Sequence, residues 1–338
     1  MFDIDYRYVD ELYELDTQNF EVERSTPCDY HRLHEIFDDR YNTGNFEFSF
    51  DLSCSDLIET LFKRYVSPDT IVISSKRDHP SVQKCLESFE CKELILLDDG
   101  EYLEGDFNPD PRLFRNSKDF SINKLANRLS IKNYKNIFFI SYGTNVCDGE
   151  VRNNNFFHRI IKVCKMNCDS TVSVLDDCQG SMWIDRDYSL FDYVLWTAHA
   201  TLLWFDTGIL LTKKGMPVLG VHNVGEEFLY DNYKRLQEKK SFVTSFSKQL
   251  SLATGVHLSQ APHLFCVKLN KDFPEGYFID KQKEANVSEI VNIKIEANRF
   301  ARLRVEYFMN VKNKYLMLRA LRYIAKESES ISEDNFLP

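Results

Sequence analysis

The chain has 338 residues, 43% of them hydrophobic and 28% charged, with 42 Lys and Arg against 52 Asp and Glu, for a formal charge of -10. That length allows a sizeable core and two lobes. The acidic balance argues against nucleic acid or an anionic membrane surface as the main partner, because phosphate recognition rests on a Lys/Arg surplus. Met1 is followed by FDIDYRYVDELYELD, which lacks the basic and apolar regions of a secretory signal, and no run of about 18 apolar residues predicts a membrane span. Nine cysteines, an odd number without dense spacing, read as reduced thiols of a cytoplasmic protein. His158, Cys164 and Cys168 lack a second ligand pair, so they read as helix residues and no metal is expected.

In chain order, helical spacing is expected over SDLIETLFKRYV (55–66), followed by a strand TIVIS (70–74) and a helix HPSVQKCLESF (79–89). Strands ELILLD (93–98) and NIFFIS (136–141) follow, then a helix NNNFFHRIIKVCK (153–165) and strands TVSVLDD (171–177), DYVLWT (192–197) and GILLT (208–212). This alternation predicts an α/β fold, and continuous apolar strands predict a mostly parallel sheet covered on both faces, hence three layers. After about residue 220 the pattern changes to helices EEFLYDNYKRLQEKK (226–240) and SFVTSFSKQLSLATG (241–255), and strands HLFCVKL (263–269) and EIVNIKIE (289–296). RLRVEYFM then leads into a helical VKNKYLMLRALRYIAKES. The expected division is a large domain with its N-terminal segment over 1–220 and a smaller α+β domain over 221–338.

Four features fall at or beyond strand ends, where open α/β sheets bind ligands. They are Asp176 in VLDDCQG with Gln179 three residues on, His199 after DYVLWT, His79 in DHPS, and the small cluster Ser53, Cys54 and Ser55 at a helix start suited to phosphate. Each has a plainer use: Ser53 or Ser55 as an N-cap, Asp176 as a turn cap, and either histidine as a hydrogen-bonded structural residue.

Together, SCSDLIETLF, DHPSVQKCLE, ISYGTNVCDGEVRN, VLDDCQG and DYVLWTAHA with DTGILL resemble the large domain of fold-type I pyridoxal-phosphate enzymes. The nearest group is that of the class V aminotransferases and cysteine desulfurases. The resemblance covers residues 50–215, and RLRVEYFMN resembles the segment bearing a carboxylate-binding arginine in that family. It implies that Asp176 pairs with the pyridine nitrogen, which makes the ring an electron sink. Gln179 would bond the phenolic oxygen, His79 would stack on the ring, and Asn145 would lie near the oxygen side. Ser53, Cys54, Ser55, Thr197 and His199 would hold the phosphate, and Arg304, or Arg302 given the register, would fork onto the substrate carboxylate. It further implies a homodimer with active sites at the subunit interface and an α-amino acid substrate.

The sequence departs from the family at three places. Asn145 and Gly149 are one residue further apart than in class V enzymes, and CDGEV resembles the α-oxoamine synthases, which leaves a Claisen-type acyltransferase open. The region 270–300 has no mobile-loop cysteine, and Cys266 lies in a strand, so desulfuration is disfavoured; Cys147 is the better candidate for a reactive thiol. The third departure is Ala200, where the family has the lysine that forms the Schiff base and moves protons at Cα. Lys213 and Lys214, beyond GILLT, are expected not to reach the site.

The function expected is that of an aminotransferase or amino-acid lyase acting through an aldimine and a Cα carbanion, here without its lysine. An engineered Lys→Ala form of an active enzyme and a natural pseudoenzyme or scaffold both account for Ala200. The former is favoured because a chain freed from catalysis has less reason to keep a buried carboxylate.

Overall fold

The computed structural model describes residues 39–97, 122–131, 134–181, 183–197, 208–220, 222–223, 240–241, 243–252, 254, 256, 259–284, 293–296, 298, 300–304, 320–322, 324–325 and 327. The expected helix over 226–239, most of the last helix, and the positions of His199 and Ala200 lie outside these residues.

In chain order the elements are β1 (Phe46–Asp51), α1 (Cys54–Tyr65), β2 (Thr70–Ser74), α2 (Pro80–Ser88), β3 (Glu93–Leu96), α3 (Ile122–Ile131), β4 (Asn136–Tyr142), α4 (Asn154–Asn167) and β5 (Thr171–Asp176). A single 3-10 turn (Tyr188–Leu190) precedes β6 (Tyr193–Thr197), β7 (Gly208–Lys213) and β8 (His222–Asn223). Then come β9 (Leu264–Lys268), α5 (Tyr277–Glu284), β10 (Lys294–Glu296) and β11 (Phe300–Arg304).

One sheet has eight strands in the order β3-β2-β4-β5-β6-β7-β1-β8. β3, β2, β4, β5 and β6 pair in parallel, whereas β7 runs against both β6 and β1, and β8 runs against β1. The alternation of each strand divides its side chains between two cores. Val72, Phe138, Ile140, Val174 and Leu195 meet Leu57, Leu61 and Phe62 of α1 and Val82 of α2 on one face. Ile71, Ile73, Ile137, Phe139 and Val194 meet Leu125 and Leu129 of α3 and Phe157, Ile160 and Cys164 of α4 on the other. These are the three layers that the continuously apolar strands predict.

Local sequence explains the helix starts. Ser53 caps α1 by accepting from the Asp56 amide, Asn153 caps α4 through the Phe156 amide, and Pro80 opens α2, where a missing N–H costs nothing. β1 was not anticipated. It reads FEFSFD, with Phe46 and Phe48 buried, and its partners come from residues 208–213 and 222–223.

The second sheet is antiparallel, in the order β10-β11-β9. Arg302, Leu303 and Arg304, the start of RLRVEYFM, complete β11, and Lys294–Glu296 of EIVNIKIE form β10; residues 289–292 and 305–309 lie outside the described ones. α3 and α5 were not expected either. Phe265, Val267, Ala301 and Leu303 of this sheet, with Val243, Phe246 and Leu250 of the helical residues 243–252, join the core on the α3/α4 side. No described helix is long and apolar enough to cross a membrane.

Candidate functional site

The ends of β2, β4, β5 and β6 share one edge of the large sheet, and the start of β7 lies there too, because Gly208 is paired with Thr197. The N-terminus of α1 packs on this edge. A Cβ at Gly208 would lie 2.6 Å from the Cys54 nitrogen, so only glycine admits the helix so close. The Cys54 thiol donates to the Trp196 carbonyl at 2.8 Å. Ser53, Cys54, Ser55 and Thr197 are thereby brought to one place.

α2 begins beside it. His79 caps α2, its Nδ1 accepting from the Ser81 amide at 3.2 Å, and the Ser81 hydroxyl lies 3.0 Å from the same nitrogen. The Ser81 hydroxyl also meets that of Ser55 at 2.6 Å, so the starts of the two helices are joined through side chains. In the preceding residue, Asp78 accepts from the Ser74 hydroxyl (2.6 Å), the Ser75 amide (2.7 Å) and the Tyr142 amide (2.7 Å). Burial pushes Asp78 up to about 7, against the opposing pull of Arg152 and these hydrogen bonds. Sequence reading passed over Asp78; its only signal was its place before His79 in DHPS.

β5 ends in two carboxylates. Asp177 is fully buried, accepting from Arg186 Nε at 3.1 Å and from the Tyr188 hydroxyl at 2.7 Å, and burial raises its pKa. Gly143 and Gly180 close over it, since a Cβ at either would lie 2.3 Å from Asp177 Oδ1. Asp176, the last residue of β5, is 5% exposed. Its Oδ1 accepts from the Cys178 amide at 3.1 Å, and among the described residues it forms no ion pair. The Cys178 thiol, buried near Cys54 and Asp176, is held well above its ordinary range by burial.

Gln179 is buried and reaches the second sheet: its Oε1 accepts from Arg302 Nη1 at 2.9 Å, and its carbonyl oxygen lies 2.7 Å from His263 Nε2. Of the two candidate arginines, it is Arg302 whose guanidinium is seen at this edge; the side chain of Arg304 lies outside the described ones. Asn145 spends its amide on the loop, donating to the Arg77 carbonyl (2.8 Å) and accepting from the amides of Cys147 (2.8 Å) and Asp148 (3.3 Å). Arg77 pairs in turn with Asp148 and Glu150. The extra residue in NVCDG ends at Gly149, whose φ of +67° and near contact with Ser259 both require glycine. Cys147 is partly exposed in this loop, and Cys266 lies opposite Arg302 in the β9–β11 pair. Lys213 and Lys214 are anchored at the opposite edge, on the carbonyls of Ser189 (2.9 Å) and Gly44 (3.0 Å).

No family model matches the chain, and no curated protein matches it. Among solved structures, a NifS-like protein from Rickettsia africae superimposes with a TM-score of 0.55 at 12% identity, covering 96% of this chain and 97% of that one. The chain adopts the fold of the type I pyridoxal-phosphate transferases. The serine palmitoyltransferase of Sphingomonas wittichii gives a TM-score of 0.56 at 12% identity over 95% of this chain and 82% of its own. A lysine-to-alanine variant of C-DES, with glycine covalently linked to its pyridoxal phosphate, gives 0.54 at 14% identity over 94% and 92%.

Proposed function

We propose that the chain binds pyridoxal 5'-phosphate at the shared strand edge and recognises an α-amino acid there, in the manner of an aminotransferase or amino-acid lyase. The observation that carries this reading is Asp176. A carboxylate held at 5% exposure without an ion pair among the described residues is costly unless a cation comes to it, and a protonated pyridine nitrogen is such a cation. When bound, the cofactor supplies an electron sink for a carbanion at the substrate Cα.

The residues of the chain have separate tasks in this reading. The N-terminus of α1, with Ser53, Cys54, Ser55, Thr197 and His199, holds the phosphate through backbone amides and short side chains. His79 packs on the ring. Arg302 takes the substrate carboxylate, and its bond to Gln179 sets the direction of its guanidinium. Ala200 provides neither a covalent anchor nor a proton carrier, so binding and orientation proceed without turnover. The resemblance adds a homodimer, while the cysteine usage points to a cytoplasmic setting and the change of sequence pattern to a domain boundary near residue 220.

Titration with pyridoxal phosphate, followed by visible absorption and calorimetry, tests the reading. Saturable binding that Asp176→Asn abolishes supports it; absence of binding to the unaltered chain overturns it. The natural-pseudoenzyme reading is favoured by one observation, that Gln179 and Asn145 already spend side-chain atoms on Arg302 and on the loop backbone. Ala200→Lys separates the two. A borohydride-trappable link with turnover of an amino acid identifies an enzyme deprived of its lysine, and a link without turnover identifies the pseudoenzyme. Acyl transfer, the reaction to which CDGEV points, is assayed on the same variant with an acyl thioester.

A further inference from the structure

His79 sits among donors of fixed direction. A backbone amide can only donate, so the Ser81 N–H, 3.2 Å from Nδ1, requires a bare lone pair on that nitrogen. The Ser81 hydroxyl, 3.0 Å from Nδ1, then donates to it as well. A hydroxyl has one proton, so the Ser81 oxygen must accept from its other neighbour, the Ser55 hydroxyl at 2.6 Å. The chain runs in one direction, from Ser55 through Ser81 to His79.

We propose that the amide and hydroxyl of Ser81, the hydroxyl supported by Ser55, make Ser81 a positioning residue that fixes His79 in the tautomer with its proton on Nε2. Any bearing of that tautomer on a bound cofactor rests on the function proposed above; the tautomer itself does not. The same chain links the phosphate end of the site to the ring face. An anion at the start of α1 that takes the Ser55 proton removes the donor on which Ser81 depends. Ser81 can then turn its own proton to Ser55, leaving Nδ1 with the amide alone.

Long-range nitrogen–proton NMR of protein with 15N-labelled histidine reads the tautomer directly, with His79→Gln assigning the signal. The unaltered chain, without any ligand, is expected to show an unprotonated Nδ1 and a protonated Nε2. Ser81→Ala keeps the amide that demands a bare Nδ1 and removes the hydroxyl, so it is expected to leave the proton on Nε2 and to shift the Nδ1 signal. Ser81→Thr, which keeps the hydroxyl, restores the signal. Ser55→Ala is expected to shift the Nδ1 signal, and inorganic phosphate to shift it only where Ser55 is present. A proton on Nδ1 in the unaltered chain, or a Ser81→Ala spectrum identical to it at unchanged melting temperature, overturns the assignment. If the tautomer is found but pyridoxal phosphate does not bind, the cofactor reading fails while this one stands.

Discussion

Asp177 turns into the protein, where Arg186 and Tyr188 occupy its two oxygens and Gly143 and Gly180 seal it in. Asp176, one residue earlier, faces the edge where the starts of α1 and α2 meet and has a backbone amide and a thiol for company. The two carboxylates share a strand end and a degree of burial, yet only Asp177 is neutralised among the described residues. A structural carboxylate brings its own cation, whereas one that waits for a ligand leaves that place open. In the function proposed here, the pair therefore separates stability from binding within two residues.

The sharpest way to break this contrast is substitution. Asp177→Ala leaves the Arg186 guanidinium buried and uncompensated, and is expected to cost about 3–5 kcal/mol in urea denaturation. Asp176→Asn is expected to change stability by less than about 1 kcal/mol while removing pyridoxal phosphate binding, because a near-isosteric amide loses only charge. Equal losses of stability in the two variants would erase the distinction.

Asp78 offers a pH test of a third carboxylate at the same edge. Its pKa is raised from 3.8 to about 7, so the folded state holds its proton more tightly than the unfolded one. Its contribution to stability is then complete below about 4 and is lost as pH rises through about 7. Asp177, also raised, acts in the same direction. Denaturation midpoints measured from pH 4 to pH 8 are expected to fall less steeply in Asp78→Asn than in the unaltered chain, although the amide cannot satisfy every donor that Asp78 now accepts from.

The smallest effect is chemical. Cys178, buried with its pKa held high, is expected to resist iodoacetamide at pH 8, whereas the partly exposed Cys147 reacts. Peptide mass mapping before and after denaturation reads the difference.

The parallel strands and helices α1, α2 and α4 were legible because buried parallel strands are continuously apolar and their covering helices repeat at helical spacing. β1 carries the alternation of a strand, but both its partners lie more than 150 residues downstream, so no local turn announced it. α5 was invisible for another reason: only Phe278 and Gln282 of its YFIDKQKE are buried. In the site, Asp176 and Gln179 drew notice from their place at a strand end, whereas Arg302 and Arg304 stay alternatives in the sequence because residues two apart on a strand share a face. Ser81 escaped notice because its meaning depends on Ser55, which belongs to a different helix.

The reversal of β7 also has a genetic consequence. Each residue along that strand moves about 3.3 Å away from the site edge, and its far end is moored by Lys213 and Lys214 to carbonyls on the opposite rim. In the function proposed here, neither lysine is placed to stand in for a lysine at position 200. If that function holds, a selection for amine chemistry is expected to return lysine substitutions at codon 200 and no activating changes near codons 213 or 214.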